Sequence, residues 1–189
     1  MANNSKAGQL RIIGGSWRGR KIDFATEPGV RPTPDRIRET LFNWLQTHIS
    51  GARCLDLFSG SGALGFEALS RGASEVVMTD LSSAVTKQLR ANAELLKTSG
   101  AQIEQSNADN YLQRAAQPFD IVFLDPPFET DALANYCAQL ESNGWLAPHA
   151  HIYMERAKGS AAPPLPAGWQ WHREKQTGNV CYALAIRDH

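Results

Sequence analysis

The sequence predicts an α/β protein built on a mostly parallel β-sheet with helices on both faces. Three observations lead there. From Arg53 to Ser142, short apolar runs alternate with helix-periodic segments. The first of these runs opens into a glycine-rich turn and then a helix. The last two β-rich runs are joined by Thr177-Gly178-Asn179, a turn that folds two strands into an antiparallel hairpin at the sheet edge.

Before the sheet lies a different kind of segment. Residues 10–13 and 20–24 flank Gly14-Gly15-Ser16-Trp17-Arg18-Gly19, which suits a small hairpin bearing arginines. Arg31-Pro32-Thr33-Pro34 then starts a helix, with Thr33 as N-cap and Pro34 at the first helical position. Ile37, Leu41, Trp44, Leu45 and His48 follow at helical spacing, which leaves Arg36, Arg38 and Glu39 off the apolar stripe. Strands are predicted at 53–57, 75–80, 102–105 and 121–125, and helices at 63–70, 83–97, 108–115 and 131–142. A further strand is expected at 151–154. After the proline-rich loop 162–168 come the hairpin strands 169–175 and 180–187. Residues 1–50 read as a basic extension and residues 51–189 as the main domain.

At 189 residues the chain has room for one domain with a sizeable core. No apolar run approaches the roughly 20 residues of a membrane span, and no signal-peptide pattern is seen. Cys54, Cys137 and Cys181 are odd in number and far apart. They read as reduced thiols in or near the core of a cytoplasmic protein. The histidines show no metal-ligand spacing, and His149 and His151 read as strand-edge residues; no metal is expected. Net charge is zero, but residues 1–50 carry eight basic against four acidic side chains. Arg11, Arg18, Arg20, Lys21, Arg31, Arg36 and Arg38 form a candidate phosphate-contacting face, the alternative being a solvated basic edge.

The glycine turn has the pattern GxGxxG in Gly60, Gly62 and Gly65, with Asp80 twenty residues beyond Gly60 at the end of the next strand. Glycines there permit close backbone approach, and the acid grips ribose hydroxyls, so an adenosine-containing cofactor is expected. Asp56, just upstream, is an awkward neighbour for a pyrophosphate. It is comfortable beside the ammonium and sulfonium of S-adenosylmethionine. Asn107-Ala108-Asp109 adds a polar acceptor for an adenine amine, although Asp109 can equally cap a helix.

Asp125-Pro126-Pro127-Phe128 follows the apolar run Ile121-Val122-Phe123-Leu124. The prolines break the strand into a rigid turn that holds a carboxylate, a carbonyl and a ring together. Two acceptors beside an aromatic ring suit an amino group on a planar base; the plainer reading is a proline turn with a capping Asp. Accepting the amine's hydrogens aims its lone pair at a methyl donor, so most of the gain is orientation and placed dipoles. Phe128 is placed to stack on the base, worth about 1–3 kcal/mol, or else to pack in the core.

Leu55-Asp56-Leu57-Phe58-Ser59-Gly60-Ser61-Gly62 together with Asp125-Pro126-Pro127-Phe128 resembles the class I, Rossmann-like, S-adenosylmethionine-dependent amino-methyltransferases. Arg11-Ile12-Ile13-Gly14-Gly15, Trp17-Arg18-Gly19-Arg20 and the segment from Arg31 to Asn43 narrow the resemblance to the RsmD family. These are bacterial enzymes that methylate N2 of the guanine at position 966 of 16S rRNA. The resemblance covers about residues 9–187. It implies a seven-stranded sheet with its last hairpin reversed, a monomer, and a substrate presented on the assembling 30S subunit. It also implies a cofactor pocket of Asp56, Phe58, Gly60, Gly62, Asp80, Leu81, Asn107, Ala108 and Asp109, with Thr33 above it. The base pocket would be Asp125, Pro126, Pro127 and Phe128, with Arg11, Arg18, Arg20, Arg31, Arg36 and Arg38 toward the RNA. Met154-Glu155-Arg156 fits the family pattern without a stated role for Glu155. One departure is Asp80, where many relatives carry the longer Glu. The rival readings are a DNA adenine-N6 methyltransferase, an NAD-dependent oxidoreductase, and a non-enzymatic RNA-binding or ribosome-assembly module.

Overall fold

The computed structural model describes residues 8–127 and 132–189. The chain opens with an antiparallel pair, β1 (Gly8–Arg11) and β2 (Lys21–Phe24), joined through a short 3-10 turn at Gly15–Trp17. Helix α1 (Asp35–Trp44) follows. The main unit then runs β3 (Arg53–Asp56), α2 (Ala63–Ser70), β4 (Glu75–Asp80), α3 (Ser83–Leu96), β5 (Ala101–Gln105), α4 (Ala108–Leu112) and β6 (Phe119–Leu124). It ends with α5 (Leu133–Ser142), β7 (Leu146–Ala157), β8 (Trp169–Thr177) and β9 (Val180–Arg187).

The seven main strands lie in the order β5-β4-β3-β6-β7-β9-β8. β5 through β7 are parallel, and β9 pairs antiparallel with both β7 and β8, the reversed hairpin expected from the Gly178 turn. The strand order changes direction between β3 and β6, so the loops leaving those two strands separate and open a crevice. In open α/β sheets that crevice is where ligands bind.

Strands buried on both faces need apolar residues pointing both ways, and the centres of β3 and β6 supply them. Cys54, Ile121 and Phe123 face one core, while Leu55, Val122 and Leu124 face the other. The second core is closed by Tyr111 and Leu112 of α4, Cys137 and Leu140 of α5, and Trp145. The first is closed by α2 and α3, and also by Leu10, Ile12 and Ile22 of the small hairpin and Ile37, Leu41 and Phe42 of α1. Residues 8–50 therefore share a core with the sheet. All three cysteines are free and buried. No helix among the described residues is long and apolar enough to cross a membrane.

Two local expectations are corrected. Helix α1 begins at Asp35 after Pro34, and no side chain caps it. Thr33 is buried, and its hydroxyl turns to Glu155. Arg38, expected on the open face of α1, is 1% exposed. Its guanidinium donates to Glu67 Oε2 (3.2 Å), to Asp35 Oδ1 (2.5 Å), and to the carbonyls of Thr33 and Arg11. Glu67, inside α2, also accepts the amides of Ile13 (3.0 Å) and Gly14 (2.8 Å) and the Arg71 guanidinium (2.8 Å). A carboxylate in the core is stable only when its lone pairs are met in this way. Gly15, at φ +74°, brings the hairpin turn against the end of α2, where a Cβ would lie 1.8 Å from the Ser70 carbonyl oxygen.

Candidate active site

Three carboxyl side chains converge at the crevice. β3 pairs with β6 so that Asp56 lies opposite Phe123, and β6 pairs with β7 so that Leu124 lies opposite Met154. The next residues along, Asp125 just past the end of β6 and Glu155 within β7, therefore lie side by side. Alternation along the strands puts both on the face of Asp56, Phe123 and Tyr153. Among the described residues, no ion pair neutralises any of the three acids.

Burial and mutual repulsion raise their proton affinity. The Asp56 carboxyl is 2% exposed and is pushed up to about 7, chiefly by burial, against the lowering effect of the Gly65 and Phe58 amides. Its Oδ2 accepts from Gly65 N at 3.1 Å. Asp125 is held well above the ordinary carboxylate range by burial, then by Glu155 and Asp56. Glu155 is raised by burial, opposed by the hydrogen bonds from Tyr153 and Thr33. The Tyr153 hydroxyl donates to Glu155 Oε1 at 2.7 Å.

The glycine turn is built from backbone and its neighbours. Gly60 and Gly62 both adopt positive φ, +46° and +76°. Space is open at Gly60, where the nearest side-chain atom to an added Cβ would be Val30 Cγ1 at 3.9 Å. Gly65 is required for packing, since a Cβ there would lie 2.5 Å from Met78 Sδ. Asp80 Oδ2 accepts from Gly60 N at 3.1 Å, and its Oδ1 from Ser82 N at 2.9 Å. The acid at the end of β4 therefore meets the glycine turn directly. Leu81 beside it is 69% exposed, an apolar surface next to the turn. Phe58 sets its ring edge-on to Tyr136 at 5.2 Å.

After β5, Asn107 is the helix cap: its Oδ1 accepts from Asn110 N at 2.7 Å. Asp109 is left exposed and accepts from Gln139 at 3.3 Å, while Ala108 is buried. Pro126 is buried and Pro127 exposed. Phe128 lies outside the described residues. Arg11, Arg18, Arg20, Arg31 and Arg36 are exposed, with Arg20 reaching the Leu95 carbonyl at 3.0 Å. Arg38 does not join them, because its charge is used inside the protein. Tyr153 carries no distinguishing signal in the sequence, and Glu155 is marked only through the resemblance. The readable signal was the one that marks Asp56 and Asp125, an acid immediately after an apolar strand run.

The residues present fit S-adenosylmethionine. A glycine turn allows backbone approach, an acid stands at the next strand end, and a cluster of carboxyls favours a ligand with cationic groups. Among the described residues, no group of His, Cys, Asp and Glu is arranged to hold a metal.

A family model described as Conserved hypothetical protein 95 matches residues 10–186. The Escherichia coli (strain K12) protein named Ribosomal RNA small subunit methyltransferase D is 50% identical over 186 residues, which cover 98% of this chain and 94% of that protein. The Haemophilus influenzae protein of the same name is 48% identical over 183 residues, covering 94% and 93%. Among solved structures, the putative methyltransferase yhhF from Escherichia coli superposes with a TM-score of 0.88 at 47% identity, over 96% of this chain and 99% of that one. With a family match over nearly its whole length and this sheet order, the chain belongs to the RsmD family of methyltransferases.

Proposed function

We propose that this protein transfers a methyl group from S-adenosylmethionine to the exocyclic N2 amine of one guanine in 16S rRNA, the guanine at position 966. In this reading it acts as a cytoplasmic monomer on the assembling small subunit. The observation that carries the reading is the placement of Asp125 and Pro126 at the end of β6, across the crevice from the Gly60 turn at the end of β3. The names of the relatives support rRNA of the small subunit as the substrate class.

S-adenosylmethionine, when bound, supplies an electrophilic methyl group on a positively charged sulfur. The Gly60–Gly62 turn, Asp80 for the ribose hydroxyls, Leu81 for the adenine face and Asn107–Asp109 would hold it, with Asp56 favouring its cationic end. The chain's own contribution to the reaction is orientation. A guanine N2 lone pair is delocalised into the ring and is a poor nucleophile. The Asp125 carboxylate and the Pro126 carbonyl accept its two hydrogens, favour a pyramidal nitrogen and fix the direction of the lone pair. A stacked base has to be turned out to reach this turn. The exposed arginines of residues 8–50 are suited to phosphates, which position the RNA without reading its sequence.

The test is transfer of a tritiated methyl group to unmodified small subunits, free rRNA and DNA, followed by nucleoside analysis. N2-methylguanosine in the small-subunit sample is the expected product. N6-methyladenine in DNA, or no label in any RNA, would overturn the reading.

A further inference from the structure

β8 is an edge strand, and its side chains change face partway along. Trp169 and Trp171 lie opposite Arg187 and Ala185 of β9, on the side of the second core. Unbroken alternation would put Arg173 and Lys175 on that side too. The register shifts between Trp171 and Arg173, so Arg173 lies opposite Leu184 and Lys175 opposite Tyr182. Leu184 and Tyr182 belong to the first core, the side of Asp56, Asp125 and Glu155. A bulge of this kind re-aims side chains and is common beside active sites. Glu155 lies opposite Tyr182 on the other flank of β9. Lys175 therefore stands in the same cross-strand row as Glu155, two strand spacings or about 10 Å along it. The shift also sorts the charges. Glu174 lies between the two cations in sequence but faces the opposite side, where its Oε2 meets Arg156 Nη2 at 2.7 Å. Helix α1 covers the site face as far as β9, where Trp44 stacks on Tyr182 at 5.6 Å. One strand further out, Arg173 and Lys175 are exposed, and among the described residues neither forms an ion pair.

We infer that Arg173 and Lys175 form a second phosphate-contacting surface for the RNA substrate, on the side of the crevice away from the N-terminal hairpin. This rests on the reading above that the substrate is rRNA. The hairpin sits against α2 and α3, with Ser16 and Trp17 bonded to Ser70 and Arg20 to the Leu95 carbonyl. Those helices pack on β3, β4 and β5, to one side of the crevice between β3 and β6. β8 closes the other end of the sheet. A nucleotide turned out into the crevice has backbone leaving it in two directions, so cations on one side alone would hold only half of that strand. Phosphate is the partner that fits two unpaired cations on one strand face with the acid between them turned away. Charged side chains on an edge strand also deter pairing with other chains. That role is met on either face, whereas the bulge puts both cations on the face of the site.

The experiment compares the wild type with the double variant Arg173→Gln, Lys175→Gln, which keeps long polar side chains and removes both charges, and with Glu174→Gln on the opposite face. Binding to unmodified small subunits is measured at several salt concentrations, and methyl transfer at varied subunit concentration. The double variant is expected to flatten the salt dependence of binding by about 1.4–1.8 in logarithmic slope, for two lost phosphate contacts. Its KM should rise several-fold with kcat unchanged. Its affinity for S-adenosylmethionine, read by calorimetry, should match the wild type, which shows the fold intact. Glu174→Gln is expected to keep the wild-type slope. An unchanged slope and KM in the double variant overturn the inference and leave the two cations as a guard on the sheet edge. A fall in kcat at unchanged KM overturns it too, as does a slope change of the same size in Glu174→Gln, which would make net charge rather than the face responsible. A wild type that labels no RNA overturns the functional reading and the inference with it; a wild type that labels RNA beside an unmoved double variant overturns the inference alone.

Discussion

Arg38 Nη1 stands 3.2 Å from Glu67 Oε2, with both side chains buried between α1 and α2. The same carboxylate takes the amides of Ile13 and Gly14, so one acid joins the hairpin, α1 and the helix that follows the glycine turn. Removing one member of such a pair leaves the other buried and under-satisfied. Glu67→Ala is expected to cost about 3–5 kcal/mol of unfolding free energy, measured by denaturant titration. A loss below 1 kcal/mol would mean that Arg38 and the two amides are readily rehydrated.

Arg38 and the exposed arginines are expected to separate in their RNA behaviour. Arg18→Ala and Arg20→Ala should raise the KM for the small-subunit substrate and flatten the salt dependence of binding, by roughly 0.7–0.9 in logarithmic slope per lost phosphate contact. Arg38→Ala should lower stability and leave that slope unchanged at temperatures where the variant is folded. Binding isotherms at several salt concentrations decide the matter. An unchanged slope for Arg18 and Arg20 would make them a solvated edge.

Asp125→Asn removes the charge that orients the amine and keeps the side-chain shape. Transfer is expected to fall about 10²–10³-fold, the size of effect seen when one preorganised polar group is lost from a transition-state site. Cofactor affinity, read by calorimetry, should be nearly unchanged. Loss of both would place Asp125 in the cofactor site or in the fold.

The pH dependence follows from Asp56, whose carboxyl is pushed from its ordinary value of 3.8 up to about 7, mainly by burial. A carboxyl whose affinity for protons is higher folded than unfolded stabilises the fold fully below its unfolded pKa, and that contribution is lost as pH rises through its folded pKa. Asp125 and Glu155 are displaced in the same direction. The free protein is therefore expected to melt at a lower temperature at pH 8 than at pH 5.5, and Asp56→Asn should shallow that slope. Affinity for S-adenosylmethionine should run the other way, rising with pH through about 7 as the carboxyl that favours its cationic end ionises. Calorimetric melts and titrations across that range check both signs.

Much of the architecture was written in local pattern. The apolar runs ending in Asp56, Asp80 and Asp125 predicted three parallel strands, because a strand buried on both faces leaves a continuous trace in the sequence. Gly60, Gly62 and Gly65 marked a turn whose backbone conformation and close packing other residues would strain. The two prolines after Asp125 marked where β6 had to stop. The strand expected at 151–154 proved to be a longer element, Leu146–Ala157, because pairing on both sides extends it past its apolar centre.

Among the arginines, charge was legible only where it stayed in water. Arg38 sits at a helix position that reads as solvated, and its burial depends on Glu67, in a different helix, and on the carbonyl of Arg11 in the hairpin. Thr33 read as a cap, yet its hydroxyl is turned toward Glu155 across the fold. The pairing of Glu155 with Asp125 depends on the register between β6 and β7. The sequence by itself determined the order of the elements and the local chemistry of each turn, since those follow from propensity, periodicity and backbone freedom within a few residues. Only the tertiary structure decided which ionisable groups are buried together, because a charge can leave water only when partners distant in the chain replace its hydration.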